Sequence, residues 1–420
     1  MKKLFLAIAS ALMLLSCAHD PAICPKSTWK IPQPQDRRAE DMCFLMNRHC
    51  HYALYHRWEV LGDTIAVKGY LEPDIRPIAS DAFTLAFCCK AGIIEPQMKE
   101  PSLHTAKALI RSMARTHKAN REGPAWGDHW QSAHWTAFGA VAAWFLWDEL
   151  APEVREEVRR MTVHEADRFI DYKVPYYMNR EGKVLTPGDS KAEENAWNSE
   201  ILEIASIMFP GHPNREAWDR KSIELQLSSY AAPDDWKTPG SIDGVPFSIL
   251  AGSNIFADGT LVNHNRVHPD YMSAFMLNVL NRWFRNMAGQ EGRASSLHNG
   301  ALVYHALTDL ELPTGTIYTV DSLGRPSYRI NYPQENDWGT GRQDNFWLMD
   351  IIAHVHHLDS TSSHPAVEWA DARMVRMKEM VGRDTTGQYY QSRSENSFHT
   401  REEFFGQQIA LGYIGYWLGR

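Results

Sequence analysis

The sequence predicts an all-α protein, an (α/α) toroid of about six or seven helical hairpins with a small β-hairpin insertion. Three observations carry this. Apolar residues recur at helical spacing through nearly the whole chain after Arg37. Strand-like alternation is sparse. No self-similarity at 34 or 40 residues appears, which disfavours an open solenoid and favours a closed ring.

The helical windows run over 37–58, 79–92, 102–118, 128–149, 152–171, 191–209, 214–231, 268–286, 295–310, 341–358, 364–380 and 401–419. In 152–171, Val154, Val158, Met161 and Phe169 share one face while Arg155, Glu156, Glu157, Arg159 and Arg160 take the other, as on an outer helix. Ala137 to Leu146 is apolar around most of its circumference, which suits an inner ring. Ser190 with Glu193, and Thr400 with Glu403, fit the capping box that opens a helix. Phe405, Ile409, Tyr413, Tyr416 and Trp417 form one stripe, so the C-terminus is packed. The β-hairpin is expected from Thr316–Val320 and Ser327–Ile330 around a turn at 321–326.

The N-terminus reads as an address. Lys2 and Lys3 precede an apolar run from Leu4 to Leu15, too short to span a bilayer. Leu14-Leu15-Ser16-Cys17 resembles a bacterial lipoprotein box. Residues 1–16 are therefore expected to be a signal peptide, 17–36 a proline-bearing tether, and 37–420 a single toroid domain. Cys17 would carry the lipid anchor of a cell-envelope lipoprotein, periplasmic or on the outer-membrane surface. The other five cysteines, at 24, 43, 50, 88 and 89, are expected to staple the fold in an oxidising compartment.

Lys plus Arg number 43 against 51 Asp plus Glu, a formal charge of −8 that becomes about −10 without Lys2 and Lys3. That balance excludes a general nucleic-acid binder, which shows a basic footprint. The 15 Trp and 16 Tyr suit a groove that stacks on sugar rings as well as a core.

Two segments concentrate chemistry. Asn195 and Asn198, three apart near a helix start, share a face, and Trp197 lies between them. The second segment, 256–271, gathers His264, Asn265, Arg266, His268, Asp270 and Tyr271 on a loop entering a helix, a polar density typical of sites. The His264-x-x-x-His268 spacing suits metal ligation, but the glutamate of the zinc-protease motif is missing and Pro269 follows. A third segment, 336–344, offers Trp338 for stacking and Arg342 for gripping a carboxylate. His354, His356 and His357 share no single face and are taken as structural. Trp126, His129, Trp130, His134 and Trp135 are expected in the core or on the cleft wall.

The Asn195-Ala-Trp197-Asn198 segment, the Asp258-Gly259-Thr260 turn with His264, and Tyr271 resemble the Asn, His and Tyr constellation of the α/α-toroid polysaccharide lyases, the group acting on alginate, glucuronan, chondroitin and heparin-type polymers. The resemblance implies a secreted enzyme cleaving an anionic, uronate-containing polysaccharide, of alginate or glucuronan type, by β-elimination. It implies that Asn198 or Asn195, with His264 or Arg266, quiets the carboxylate, and that Tyr271 is the base, with Tyr304 in reserve and His264 and His268 competing for the role. No cofactor and no resident metal are needed. A glycoside hydrolase on the same ring, drafting Glu194, Asp258 or Asp270, is the rival, followed by a non-catalytic glycan-binding lipoprotein.

Overall fold

The computed structural model describes Pro34 and residues 36–419 except Glu335 and His399. Residues 1–16, expected to be a signal peptide, nearly all of the expected tether 17–36, and with it Cys17 and Cys24, lie outside the described residues. Thirteen α-helices follow among those described: α1 (Arg37–Tyr52), α2 (Glu72–Ala91), α3 (Lys99–Thr116), α4 (Ser132–Phe145), α5 (Pro152–Asp167), α6 (Ala192–Met208), α7 (Arg215–Ser229), the short α8 (Pro269–Ser273), α9 (Met276–Met287), α10 (Gly300–Thr308), α11 (Gln343–His356), α12 (Ala366–Val381) and α13 (Glu402–Leu418). Helices α2, α4, α6, α9, α11 and α13 pack in that order, and α13 closes on α2. Outside them, α1 covers α13, α3 covers α2, α5 covers α4 and α6, α7 covers α6, and α10 and α12 cover α11. The result is the closed toroid of helical hairpins that the periodicity predicts.

Burial follows the two layers. Every residue of α4 is buried, whereas α5 buries Val154, Val158 and Met161 and exposes Glu153, Glu156 and Arg160. Helix α13 packs closely against inner helices α11 and α9 because its glycines admit large rings. A Cβ at Gly412 would overlap the Trp347 ring of α11, and one at Gly415 the Trp283 ring of α9. The sparse strands form two-stranded antiparallel ribbons, among them Tyr318–Val320 with Pro326–Ile330, where the hairpin was expected.

Three expectations are corrected. The capping boxes do not form. Ser190 donates to the Asn254 carbonyl (2.8 Å), and Thr400 accepts from Arg76 Nη2 (2.9 Å). Glu193 faces a pocket and Glu403 pairs with Arg57, so tertiary partners outcompete the local cap. The cysteines do not staple the body: Cys43, Cys50, Cys88 and Cys89 are free thiols, Cys50 and Cys88 within the core. Tyr304, the reserve base, lies on outer helix α10, fully buried, and donates to Asp350 Oδ1 (3.1 Å).

Asp350 also accepts from Tyr318 (2.9 Å) and from Arg373 Nε (2.8 Å), joining α10, the hairpin and α12 to α11. Arg373 and Asp350 are both wholly buried. Truncating one partner strands the other charge, so Arg373→Ala should cost about 3–5 kcal/mol of stability. Urea unfolding of the variant beside the parent checks this; a loss near zero would show that the pair bears no weight.

Candidate active site

All six inner helices begin at the same end of the ring, and their first turns enclose a cavity of about 230 Å³. Glu72 and Arg76 come from α2, His134 from α4, Glu193 and Trp197 from α6, and Asp270 and Tyr271 from α8. Arg342 and Asn345 come from the start of α11, and Arg401 and Phe404 from the start of α13. Helix N-termini carry partial positive charge, so this end of the ring favours an anion before any side chain is counted. The three arginines add to that.

His264 reaches the pocket on a two-residue turn. Val262–Asn263 and Arg266–Val267 pair as an antiparallel ribbon, with His264 and Asn265 at its tip in left-handed backbone (φ 50° and 62°). This is the twist that tight hairpins need, and a bulky side chain there is uncommon. The turn is pinned from several sides: Asn265 N–H donates to the Gly188 carbonyl (3.0 Å), His264 N–H to Asn263 Oδ1 (2.8 Å), and Arg266 Nε to the His264 carbonyl (3.2 Å). Strain held by so many bonds fixes the imidazole in place.

The imidazole links two groups. His264 Nδ1 lies 2.7 Å from Asp337 Oδ2, and Nε2 lies 3.2 Å from the Tyr271 hydroxyl. Burial alone would raise the Asp337 carboxyl, but the hydrogen bond and charge of His264 hold it below the ordinary carboxylate range. With Asp337 ionised, Nδ1 carries the proton and Nε2 is left to accept from the phenol. Burial, then Glu193 and Asp189, push the Tyr271 phenol well above its ordinary value, so it loses a proton only with help. His268 lies behind this chain, buried against the Tyr271 and Trp338 rings, with Nε2 3.3 Å from Asp337 Oδ1. Its burial lowers the imidazole despite Asp270 and Asp337 nearby, which keeps it neutral.

Trp338 packs beside the Tyr271 ring, with 4.7 Å between centroids, and carries Arg342 on its face. The guanidinium lies 4.2 Å from the indole centroid and donates to Asn396 Oδ1 (3.1 and 3.2 Å). Burial and the neighbouring Arg401 lower Arg342 to about 10. Burial, opposed by Glu72 and reinforced by Arg401, also lowers Arg76 to about 10. Both remain cations at neutral pH, Arg76 paired with Glu72 and Arg342 held by Asn396 and the Trp338 face. Glu193 does not neutralise them: burial, and then Glu72, raise its carboxyl to about 8.

That shift has a consequence for stability. The folded state holds the Glu193 proton to about 8, whereas the ordinary value is 4.5. The contribution is complete below 4.5 and is lost as pH rises through 8, because the unfolded chain releases the proton first. Glu193→Gln should therefore flatten the fall in stability across that window. Denaturant midpoints measured at several pH values check it, and an unchanged slope would count against a protonated Glu193.

The structure brings together His264, His268, Tyr271, Trp197, Trp338 and Arg342, and it separates others from them. Asn195 faces α7, its amide donating to the Pro175 carbonyl (3.0 Å) and Ser228 Oγ (3.2 Å). Asn198 is buried and is not part of the pocket wall. Arg266 braces the turn from outside. The carboxylate-donor expectation for the amide pair is thus corrected: Asn195 joins α6 to α7, Asn198 is buried off the pocket, and the pocket's donors are arginines. Tyr304 is corrected with it. Of the aromatic cluster, Trp130 and His134 line the pocket and Trp126 and Trp135 are core. His356 accepts from Trp283 Nε1 (2.9 Å), a structural role.

Sequence reasoning missed Arg76, Arg401, Asp337 and the pocket role of Glu193. Arg76, Glu193 and Arg401 share a signal, a charged residue close to the start of a largely apolar helix. Asp337 adjoins Trp338 and could have been read with it. His264, His268 and Asp337 are also the residues here able to hold a metal, their ligand atoms lying within 4.8 Å of one another. A second such group, Asp128, His164 and Glu165, lies outside the pocket.

Fold and site thus define a helical toroid with an arginine-rich pocket and a Tyr–His–Asp hydrogen-bond chain at the starting end of its inner helices. No protein-family model matches the chain, and no curated protein sequence is similar to it. Among solved structures it is similar to the unsaturated glucuronyl hydrolase of Bacillus sp. GL1, responsible for the degradation of glycosaminoglycan. Identity is 12% and the TM-score 0.42, over 90% of this chain and 95% of that one.

Proposed function

We propose that the protein is a glycan-cleaving enzyme acting on uronic-acid units by β-elimination. The observation that carries this is the chain Tyr271–His264–Asp337 opening into the same pocket as Arg76, Arg342 and Arg401. Elimination across C4 and C5 needs the uronate carboxylate quieted, because the adjacent C5 proton is otherwise too weak an acid. Arg342 supplies a planar fork for a carboxylate, and protonated Glu193 can donate a further hydrogen bond. Tyr271 takes the C5 proton while its own phenolic proton passes to His264 Nε2, and Asp337 stabilises the imidazolium. The C5–H electron pair becomes the C4–C5 double bond as the C4–O bond breaks. The leaving oxygen then receives a proton back through Tyr271.

A second reading rests on Glu193. A carboxyl held to about 8 is a general acid at neutral pH, and Asp270 shares its pocket. Such a pair is what hydrolysis of a glycosidic bond requires. Two other acids drafted for that role are occupied elsewhere: Glu194 accepts from Tyr172 (2.8 Å), and Asp258 closes the turn onto Thr260 (2.7 Å). Glu193→Gln separates the readings. Elimination should survive, since an amide still donates to the carboxylate, and hydrolysis should fall by roughly 100- to 10,000-fold with the acid removed. Incubating the protein with a panel of uronate glycans while following ultraviolet absorbance tests the main reading. An unsaturated, absorbing product is expected, and cleavage without absorbance would overturn it.

A further inference from the structure

The pocket that holds the arginines and the Tyr271–His264–Asp337 chain is small for a glycan. Its cavity of about 230 Å³ lies below the roughly 300–1,000 Å³ of sites that enclose a drug-sized ligand. A sugar chain with one uronate seated there must run out over the rim. One residue of that rim stands apart. Trp130 lines the pocket yet is 59% exposed, and among the described residues it is the only exposed tryptophan.

The loop between α3 and α4 that carries Trp130 is anchored on both sides of it. Asp128 N–H donates to Glu165 Oε1 (2.8 Å), the His129 carbonyl accepts from Arg168 Nη2 (2.8 Å), and Gln131 Oε1 accepts from Trp135 Nε1 (2.9 Å). The indole itself rests T-shaped against buried Trp197, with ring centroids 4.9 Å apart. A ring propped on a fixed backbone, with most of its surface left to water, is a platform whose ordering cost is met before a ligand arrives. Large apolar side chains scattered singly over a surface need no explanation. A tryptophan fixed at the mouth of a charged pocket does, because such rings anchor the strongest contacts of binding surfaces.

We propose that Trp130 is the stacking platform for the sugar unit joined to the uronate, and that it selects a pyranose of gluco configuration there. In that configuration the hydroxyls are equatorial, so the ring faces present axial C–H bonds. These pack flat on the negative face of the indole π system. An axial hydroxyl, such as the one at C4 of galactose, sets an oxygen against the indole and lifts one end of the sugar from it. The proposal rests on the glycan reading given above and deepens it, by naming what holds the second unit and the shape it selects.

The test uses the full chain and two oligosaccharide series, glucuronate alternating with glucose and glucuronate alternating with galactose. For the parent, kcat/KM on the glucose tetrasaccharide should exceed that on the galactose one about tenfold. Trp130→Ala should raise KM for the glucose tetrasaccharide about tenfold, leave kcat near that of the parent, and erase the difference between the series. Trp130→Phe should keep most of the preference, since a smaller aromatic face remains. Binding of free glucuronate, which has no second unit, should be the same for parent and Trp130→Ala by calorimetry. The rival path for the sugar chain is the cleft of about 920 Å³ beyond the Asn396–Arg342 bond, where Lys68 and Arg393 are exposed. Three results would each overturn the proposal: equal use of both series by the parent, an equal loss of glucuronate and tetrasaccharide binding in Trp130→Ala, or a KM that rises in Lys68→Ala or Arg393→Ala but not in Trp130→Ala.

Calorimetric binding to Tyr271→Phe separates this proposal from the reading it rests on. If neither series is cleaved, tighter binding of the glucose tetrasaccharide that an added Trp130→Ala abolishes still supports the platform. Binding of neither series, or of both alike, refutes it. If elimination proceeds in Trp130→Ala with KM unchanged, the platform fails and the catalytic reading stands.

Discussion

Tyr271→Phe should lower kcat by roughly 100- to 10,000-fold, the usual weight of a positioned acid or base, while KM and thermal stability stay near those of the parent. The phenol ring is buried against Trp338 and His268, with ring centroids 4.7 and 4.9 Å apart, and phenylalanine keeps those contacts. What the variant loses is the hydroxyl 3.2 Å from His264 Nε2. A matched fall in kcat and kcat/KM is the signature of an interaction made only in the transition state. Initial rates on any cleaved glycan, with a melting curve beside them, give the answer; retained activity would move the base to His264 or His268.

Arg342→Ala should remove the main donor to the uronate carboxylate and slow turnover about 100- to 1,000-fold, the range for a lost oxyanion donor. KM should rise as well, because the carboxylate is bound before it reacts. Arg342→Lys should recover only part of the loss, since a lysine keeps the charge without the planar fork. Since Arg342 also holds Asn396, circular dichroism must accompany the kinetics. A variant that folds and turns over normally would remove Arg342 from the mechanism and leave Arg76 or Arg401 in its place.

Periodicity made the ring legible because each inner helix is apolar over most of its surface and each outer helix over one face. Its errors fall where local signals mislead. Helix α2 starts at Glu72, ahead of the 79–92 window, because Pro73, Asp74, Arg76 and Pro77 make its opening turns look like loop. The 268–286 window is two helices, α8 and α9, and its apolar pattern runs through the break because Ala274 and Phe275 are themselves buried.

The site was half legible for a related reason. His264, Tyr271, Trp338 and Arg342 lie in short polar segments, where such density on loops stands out. Arg76, Glu193 and Arg401 arrive singly from helices far apart in the chain, and only ring closure brings them together. Asn195 and Asn198 misled because a buried amide, such as Asn195 bonded to the Pro175 carbonyl and Ser228, looks in sequence like one that binds a ligand.

The central claim is that a C5 proton leaves and no water enters. Cleavage in heavy-oxygen water, followed by mass spectrometry of the fragments, tests it most directly. The account predicts that no heavy oxygen is incorporated at cleavage and that one fragment carries a new double bond. Heavy oxygen at the newly freed sugar end, with both fragments saturated, would contradict it and hand the site to Glu193 and hydrolysis.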